Sequence, residues 1–340
     1  MTDRTLIHIN LASGFGGGEV QTLNLIEQLS DYSQLILCKK GCDFERKSRE
    51  LSAENTNIKV VTFWSALCCA LMKKNVIIHA HDGRGAHIAR IMALFSRKQY
   101  LISRRVDKLL KGKVSEYTYR NAAALVAVSC KVASNLQGLN QNISVIHDSY
   151  SNLPRSRCVE QKLLDLGDKF IVTQLGSLLD IKNIPFTIEL ARQIERSHPS
   201  VHFLIVGKGK EKVNLMKQAK GLSNITFFGF TSYVASILER TNVLIMPSKS
   251  EGLGSAVLEA YQHDKPVITS KSGGLPEIVQ HGETGYLVET NNIEQAKRHL
   301  LALATDDILY EKLQRNIHGM KLQYSPQTMA ENYIACYDKL

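Results

Sequence analysis

The sequence predicts an α/β protein built from two doubly wound, Rossmann-like domains. Short apolar runs alternate with amphipathic stretches along the chain, as expected for parallel strands covered by helices on both faces. The 340 residues exceed one ordinary core and therefore suggest two domains. A stretch at 149–168, which contains Asn152, Pro154, Arg155 and Arg157, breaks the alternation and reads as a linker, after which the pattern restarts.

The first half begins with a predicted strand at 5–11, a glycine-rich loop from Gly14 to Gly18, and a helix from Val20. Further strands are predicted at 35–38, 58–63, 76–79, 100–103, 124–129 and 143–146, and helices at 65–72, 85–95, 114–121 and 131–137. The loop departs from the dinucleotide fingerprint, because Glu19 occupies the place of the third glycine. Its glycines still let a diphosphate approach the backbone; the alternative is a tight turn that packs helix on strand.

The second half has predicted strands at 170–175, 201–206, 225–228, 243–247, 266–269 and 285–288, and helices at 185–196, 233–239, 293–304, 308–321 and from Pro326 onward. The strand at 243–247 leads into a glycine turn and a helix that starts near Ala256. This arrangement presents backbone N–H groups and the positive end of a helix dipole to an anion. Glu251 and Glu259 flank the turn, and carboxylates there would bind hydroxyls, which indicates a sugar nucleotide.

A histidine pair, His79 and His81, closes the strand predicted at 76–79. Polar groups at the carboxyl end of a strand lie where open α/β sheets bind ligands. The spacing of two places both histidines on one side of the strand. The sequence shows no third metal ligand, so we predict no metal site. A sugar or acceptor contact and a purely structural role both stay open.

The chain carries a net charge of +10, and nearly all of the surplus lies in the first half. Residues 1–160 hold 22 basic and 13 acidic residues, whereas residues 161–340 hold 20 and 19. The densest basic stretch is 97–113, where Asp107 is the one acid. It predicts attraction to an anionic lipid surface or acceptor; a solvated loop face is the alternative. We expect no nucleic-acid partner, because no nucleic-acid motif is visible.

Apolar runs, the N-terminal stretch and the cysteines indicate the cellular location. No apolar run reaches the ~18 residues of a membrane span, and the stretch from Met1 to Thr5 lacks the layout of a signal peptide. Seven cysteines without regular spacing favour a reduced chain over a disulfide or zinc scaffold. We expect a cytoplasmic protein, with peripheral contact to the cytoplasmic face of the inner membrane.

Together these segments resemble the retaining GT-B glycosyltransferases of family 4. The run 247–260 is similar to the Glu-x7-Glu signature of that family, with Glu251 and Glu259 as its two acids. The resemblance extends through 266–268, 273–279 and 282–285, and reaches the N-terminal glycines, the His81 segment and Lys182. It implies a central cleft between an acceptor-binding domain at 1–155 and a nucleotide-sugar domain at 156–323. A helix at 324–340 would cross back to the N-terminal domain.

The resemblance also implies roles for individual residues. Gly16 and Gly17 would offer amides to the donor diphosphate, which Lys182 would meet as a point charge. Glu251 would lie by the donor sugar, and Glu259 would accept hydrogen bonds from the ribose hydroxyls. His81 would approach the donor sugar or the acceptor. The base pocket would be lined by Gly207, Gly229 and Phe230. The backbone would turn around sugar and phosphate at Gly252, Leu253 and Gly254, and Ser255 is a further donor-site position.

One position departs from the family pattern. Ser177 stands where members commonly have Arg, five residues before the lysine. The developing charge on a diphosphate leaving group must be neutralised, and the sequence has no Asp-x-Asp motif for a metal. We therefore expect no cofactor, and neutralisation by Lys182 with one of four further cations: Arg104, Arg105, Lys208 or Lys210.

The implied reaction moves a hexose from a nucleoside diphosphate sugar, expected to be UDP-linked, to a hydroxyl, with retention of the anomeric configuration. The departing phosphate oxygen would help deprotonate the acceptor on the same face. Residues 81–84 and 103–107 are similar to segments of lipopolysaccharide-core and cell-envelope transferases, which suggests a lipid-linked or lipopolysaccharide-core acceptor. The alternatives are a GT-B epimerase, phosphorylase or synthase acting on soluble sugars, and a non-catalytic nucleotide-sugar-binding protein.

Overall fold

The computed structural model describes residues 4–340, which form two compact units. Unit 1 runs to Ser151 and includes Tyr324–Leu340, and unit 2 is Asn152–Gln323. Residues 1–3, at the start of the stretch that we expect to lack a signal-peptide layout, lie outside the described part. None of the helices formed by residues 4–340 combines the length and the apolar character of a membrane span.

Unit 1 is built on a seven-stranded parallel sheet with the strand order β3-β2-β1-β4-β5-β6-β7. Its strands are β1 Thr5–Asn10, β2 Ser33–Cys38, β3 Ile58–Val61, β4 Val76–Ala80, β5 Gln99–Arg104, β6 Ala124–Ala127 and β7 Ile143–Val145. Its helices are α1 Gly17–Gln28, α2 Asp43–Glu54, α3 Phe63–Met72, α4 Gly83–Ser96, α5 Lys113–Arg120 and α6 Cys130–Ser134. Every residue of β1 is buried, as expected for a strand covered on both faces.

Unit 2 has a six-stranded parallel sheet in the order β10-β9-β8-β11-β12-β13. Its strands are β8 Phe170–Leu175, β9 Val201–Val206, β10 Ile225–Gly229, β11 Val243–Met246, β12 Val267–Ser270 and β13 Gly285–Val288. Its helices are α7 Arg157–Leu164, α8 Ile184–Ile194, α9 Lys212–Gln218, α10 Val234–Arg240, α11 Ser255–Gln262, α12 Leu275–Ile278, α13 Ile293–Thr305 and α14 Asp307–Met320. The predicted fold class, two Rossmann-like α/β domains, is confirmed.

The last helix, α15 (Pro326–Tyr337), belongs to unit 1. Ser325 caps its first turn by accepting a hydrogen bond from the Thr328 amide. Tyr333 and Tyr337 are fully buried and pack in one core cluster with Leu6 of β1. The expected return of the C-terminal helix to the N-terminal domain is therefore confirmed.

The sequence did not predict four of the helices, namely α2, α7, α9 and α12. The predicted linker at 149–168 contains α7, whose Val159 and Leu163 are buried four residues apart on one helical face. Helix α2 buries little beyond Phe44, and the i,i+4 ion pair of Arg49 with Glu45 supports its exposed side. Both helices have too few apolar positions for periodicity to show them, and contacts with the rest of the unit decide their structure.

Candidate functional site

The segment after β11 forms the strand, turn and helix that the sequence predicts. Helix α11 begins at Ser255, and its N-cap is Gly254, which has φ 107° and no side chain to cap the first-turn amides. A Cβ at Gly254 would lie 2.5 Å from Leu275 Cδ2, so glycine is needed here. Leu253 anchors the turn in the core. The uncapped N–H groups of α11 are therefore available to an anion or a polar ligand.

An ion pair joins two of the predicted site residues of unit 2. Lys182 Nζ lies 2.5 Å from Glu251 Oε1, although the two residues are 69 positions apart. Lys182 ends a short 3-10 turn that follows Gly176, and Glu251 lies in the turn after β11. The side chains are 21% and 13% exposed, so solvent screens the pair only in part. A diphosphate that binds Lys182 must compete with Glu251 for its charge.

Glu259 lies on α11, within electrostatic reach of Lys182. Burial raises the pKa of its carboxyl to about 7, and the positive charge of Lys182 opposes this rise. The group is thus partly protonated near neutral pH. Donated hydrogen bonds from ligand hydroxyls would stabilise the carboxylate and lower this pKa again.

The loops around this site approach each other closely at glycine positions. Gly207 has φ 153°, and a Cβ there would lie 1.8 Å from the carbonyl oxygen of Gly176. Gly273 has φ 55°, and its Cβ would lie 1.8 Å from the carbonyl oxygen of Glu251. Both positions admit no larger residue. Gly207, predicted for the base pocket, is therefore also required for the close approach of the loops after β8 and β9.

Another predicted base-pocket residue, Phe230, follows β10 and is 63% exposed. Lys208 Nζ lies 4.3 Å from the centroid of its ring, a cation–π contact. Lys208 is thus held beside the predicted pocket.

The two arginines proposed as partners of Lys182 are engaged within unit 1. Arg104 donates to the carbonyl oxygen of Lys108 and, at 3.4 Å, to the hydroxyl of Tyr119. Arg105 Nε donates to Asp148 Oδ1 at 2.9 Å, and both of these side chains are about nine-tenths buried. Neither guanidinium is a mobile surface cation. Among the four named cations, Lys208 and Lys210 belong to unit 2 with Lys182.

In unit 1 the predicted diphosphate amides lie at the start of α1. Gly16 and Gly17 are exposed, and Gly16 is the N-cap of the helix. The Gly16 amide donates to Glu19 Oε2 at 2.8 Å, which is the half of a capping box that an N-cap glycine allows. The residue that breaks the dinucleotide fingerprint therefore binds one of the amides that the prediction assigns to a ligand.

His81 is not alone at the end of β4. Its Nε2 atom lies 3.0 Å from Nδ1 of His8, a residue of β1, and its ring centroid lies 3.8 Å from that of His79. His79 contacts the hydroxyls of Tyr337 at 2.8 Å and Ser103 at 2.7 Å. All three histidines are buried. We call His8, His79 and His81 the histidine cluster.

Burial holds the three imidazoles neutral. Desolvation lowers the pKa of His8 to about 4 and holds the pKa values of His79 and His81 well below the ordinary range. The buried cation of Arg105 acts in the same direction on His79 and His81. At neutral pH each ring therefore has one N–H donor and one bare acceptor nitrogen.

His8 supplies the third histidine that the sequence analysis did not find. One nitrogen from each ring lies within 4.8 Å of the others, which raises the question of a metal. Both nitrogens of His8 and both of His79 already have hydrogen-bond partners on the protein. These contacts fit a hydrogen-bonded cluster better than a set of open ligands.

Sequence reasoning also missed Gln34 of β2 and Tyr337 of α15, which contact the cluster. A signal for both exists, since His8 is a polar residue inside an apolar strand run and Gln34 directly precedes one. The strand order decides that they meet, because β1 lies between β2 and β4. In the parallel register His8 pairs with Ile36 and with His79.

Comparison with known proteins agrees with this fold. HepE of Anabaena, in a structure with UDP and glucose, superposes with a TM-score of 0.83 at 17% identity, over 99% of this chain and 100% of that chain. The galactosyltransferase WaaB of the lipopolysaccharide outer core superposes with a TM-score of 0.72 at 16% identity, over 99% and 100%. At these identities the likeness shows the fold, which is GT-B.

Relatives in sequence are named glycosyltransferases. An uncharacterized glycosyltransferase of Haemophilus influenzae is 28% identical over 184 residues, which is 53% of this chain and 52% of the relative. The lipopolysaccharide core biosynthesis glycosyltransferase LpsE of Rhizobium meliloti is 25% identical over 223 residues, 64% of each chain. The matches thus span about half to two-thirds of these relatives.

The family model of "Glycosyl transferases group 1" matches residues 159–320, just under half of the chain and nearly all of unit 2. The matched region contains Lys182, Glu251 and Glu259. Residues 159–320 are therefore similar to the group 1 glycosyl transferases, and the whole chain has the GT-B fold.

Proposed function

We propose that the protein is a retaining hexosyltransferase of family 4 that uses a UDP-sugar as donor. The observation that carries this proposal is the Lys182–Glu251 ion pair, within reach of Glu259, inside the segment that matches the family model. One cation and two carboxylates suit the diphosphate and the hydroxyls of a nucleotide sugar. The structures of HepE with UDP and with UDP-glucose support a uridine donor.

In this proposal, Lys182 stabilises the negative charge that develops on the departing diphosphate. Binding of the diphosphate draws Lys182 away from Glu251, and the freed carboxylate accepts hydrogen bonds from the donor sugar. Glu259 receives the ribose hydroxyls. Gly207, Phe230, Gly252, Leu253, Gly254 and Ser255 line the donor site, and Gly16, Gly17 and His81 keep their predicted contacts with diphosphate and sugar.

The chain's contribution to the reaction is positioning and electrostatics rather than a covalent nucleophile. The departing phosphate oxygen accepts the proton of the attacking hydroxyl on the face that the diphosphate leaves, so the configuration is retained. We propose that the reaction needs no metal or other cofactor, because Lys182 supplies the cation that faces the diphosphate.

The proposed acceptor is an anionic lipid-linked or lipopolysaccharide-core saccharide bound by unit 1, which carries the basic surplus. The name of LpsE supports this class of acceptor. We further propose that unit 1 contacts an anionic membrane peripherally from a cytoplasmic location.

A surface of unit 1 supports this membrane contact. Helices α3 and α4 end beside each other because the strands that follow them, β4 and β5, are paired neighbours. Four apolar side chains at these ends are more than half exposed: Leu71, Met72, Leu94 and Phe95. Beside them lies a groove of about 400 Å³ whose lining includes Arg4, Lys74, Arg97 and Lys98. Apolar side chains among cations complement an anionic bilayer.

A screen of nucleotide sugars by thermal shift tests the donor. A ligand at one hundred times its Kd should stabilise the protein by about 2.7 kcal/mol. Product analysis with the best donor and a deacylated lipopolysaccharide acceptor then tests transfer and its stereochemistry. Inversion of the anomeric centre, or nucleotide release without a new glycosidic bond, contradicts the proposal.

Sedimentation with vesicles tests the membrane contact. Wild-type protein should bind vesicles of phosphatidylglycerol and phosphatidylcholine, but not pure phosphatidylcholine, and salt should weaken binding. Lys74→Gln with Arg97→Gln should reduce binding roughly thirtyfold, at about 1 kcal/mol per cation. Lys39→Gln with Lys40→Gln, exposed in the same unit, is the control of equal net charge.

The apolar side chains have a matched control of their own. Met72→Ser with Phe95→Ser, at positions 84% and 69% exposed, should weaken vesicle binding. Ile308→Ser with Leu322→Ser, at positions 80% and 68% exposed in unit 2, should not. Equal binding by the two double variants contradicts the proposed surface.

A further inference from the structure

We propose that Gln34 and His8 are positioning residues that fix the proton of His81 on Nε2, so that Nδ1 accepts a hydrogen bond from a substrate sugar hydroxyl. The inference rests on the proposed sugar contact of His81 and deepens it. It adds two residues, on β2 and β1, that determine whether His81 accepts or donates the hydrogen bond in this contact. It follows from the direction of each hydrogen bond in the chain Gln34–His8–His81.

The orientation of the Gln34 amide is determined by its neighbours. Gln34 Nε2 donates to the carbonyl oxygens of Ile26 at 3.0 Å and Leu29 at 2.9 Å. A flipped amide would place its oxygen against two acceptors, so the orientation is unambiguous. Gln34 Oε1 therefore faces His8 Nε2, at 3.1 Å, as an acceptor.

The orientation of Gln34 then decides which nitrogen donates and which accepts in His8 and in His81. An acceptor opposite Nε2 requires that His8 carry its proton on Nε2, which leaves Nδ1 of the neutral ring as an acceptor. His81 Nε2, 3.0 Å from this Nδ1, must therefore be the donor. In the neutral His81 ring the remaining nitrogen, Nδ1, is a bare acceptor.

Protonation of His8 would reverse the direction of the last bond. Burial holds the pKa of His8 at about 4, so the neutral ring predominates above that pH. The groups that face the cluster favour neutrality as well, because Arg105 is a cation and its partner Asp148 is bound to it.

Nδ1 of His81 is the open end of this chain. It is buried and has no hydrogen-bond partner among the described residues. The ring cannot easily turn to satisfy it, because Nε2 is bound to His8 and the ring packs against His79. Buried polar atoms without partners are rare in native structures, so a water or ligand donor is expected at this atom. The donor that the proposed reaction supplies is a sugar hydroxyl.

Nitrogen NMR of protein labelled with ¹⁵N-histidine tests the proton position directly. The His81 signals are identified by their loss in His81→Asn. We expect a protonated Nε2 and an unprotonated Nδ1 in the wild type, and the same in His8→Asn, whose amide oxygen can replace His8 Nδ1 as acceptor. In His8→Leu, which has no acceptor, a share of the proton should move to Nδ1. A wild-type proton on Nδ1 overturns the proposal.

Activity with UDP-glucose gives the second readout. His8→Leu should lower kcat/KM roughly tenfold, and His8→Asn should stay within about threefold of wild type. Tyr337→Phe is the structural control. It removes a buried hydrogen bond of His79, which is not part of the series Gln34–His8–His81. An equal loss in Tyr337→Phe and His8→Leu, at equal thermal stability, contradicts the positioning role.

Two assays separate the sources of the hydroxyl. If His8→Leu slows hydrolysis of UDP-glucose without acceptor, the hydroxyl belongs to the donor sugar. If only transfer to a deacylated lipopolysaccharide falls, it belongs to the acceptor, and if neither falls the proposal is wrong. Should the wild type turn over no nucleotide sugar, the proposed function fails, while the NMR result still decides the proton position.

Discussion

Both units carry their candidate residues on parallel strands or in the segments that follow them, but they hold these residues by different forces. In unit 1, the histidine cluster is neutral and is held by hydrogen bonds to its own members and to residues such as Gln34. In unit 2, Lys182 and Glu251 form an ion pair, and the pKa of Glu259 is raised to about 7. Unit 1 thus suits a neutral ligand group whose orientation matters. Unit 2 suits a charged ligand that rearranges an existing pair.

The two units also differ in how their buried or half-buried cations are neutralised. Its buried cation Arg105 is held by Asp148, so the charge is neutralised within the unit. Lys182 is also neutralised, but its partner Glu251 is itself a predicted ligand-binding group. We infer that binding changes the charge pairing of unit 2 more than that of unit 1, and four substitutions probe this difference.

The largest effect is expected at the ion pair. Lys182→Ala should lower turnover about 10²–10³-fold, because it removes the cation that faces the leaving group and leaves Glu251 without its partner. Steady-state kinetics with the best donor measures the loss. Lys249→Ala is the control, since Lys249 is an exposed lysine whose ion pair with Asp180 also joins residues 69 positions apart. Unchanged turnover in Lys182→Ala would show that the phosphate role is wrong.

The next effect concerns the pH dependence of nucleotide binding. If ribose hydroxyls bind the Glu259 carboxylate, affinity for UDP should fall as pH drops below about 7, by up to tenfold per pH unit. Calorimetric titration of UDP between pH 5.5 and 8 measures this slope. Glu259→Gln should bind more weakly at pH 8 and lose the slope, and a slope that persists in this variant contradicts the assignment.

Glu259 also has a predictable effect on stability. Its pKa in the folded chain lies above the ordinary value, so the unliganded protein is stabilised as pH falls through about 7. Glu259→Gln removes a partly buried charge and should raise the Tm at pH 8 but not at pH 5.

The histidine cluster should respond to pH with the opposite sign. Its pKa values are lowered on folding, so its contribution to stability is complete above pH 6.5 and falls as pH drops toward about 4. His8→Asn should make the fall in unfolding free energy shallower, by up to one proton or about 1.4 kcal/mol per pH unit. Urea unfolding at pH 7, 6 and 5 measures it, and parallel curves for the two proteins contradict neutral burial of His8.

The smallest effect is expected at the start of α1. Glu19→Gln weakens the hydrogen bond that the Gly16 amide donates to residue 19, which costs about 0.5–1 kcal/mol of stability. If the Gly16 amide binds the diphosphate, loss of the competing carboxylate should tighten UDP binding about two- to threefold. Glu27→Gln, on the same helix, is the control. Weaker binding in Glu19→Gln would indicate that the Gly16–Glu19 hydrogen bond preserves the loop geometry instead.

Much of the fold could be predicted because its signals are local. The apolar runs of β8, β9 and β13 coincide with the observed strands, since a strand buried on both faces needs a continuous apolar run. The charged helix α2 and the helix α7 within the predicted linker were not predicted, because each buries only a few side chains against its unit. The turn before α11 was predictable, since strand, glycines and helix lie within twenty residues.

The candidate sites were predictable only in part. Glu251 and Glu259 are marked by one short motif, and Lys182 by its resemblance to the family. The pairing of Lys182 with Glu251 spans 69 positions, and that of His8 with His81 spans 73. No periodicity joins residues so far apart, and their meeting depends on which strands are neighbours.

The sequence by itself determined the alternation of strands and helices, the strand, turn and helix around Glu251, and the uneven distribution of charge. These follow from backbone hydrogen bonding and side-chain burial over short windows. Only the tertiary structure decided that His8 completes the histidine cluster, that Lys182 is held by Glu251, and that α15 packs in unit 1. Such contacts depend on strand order and parallel register, which arise from the packing of the whole sheet.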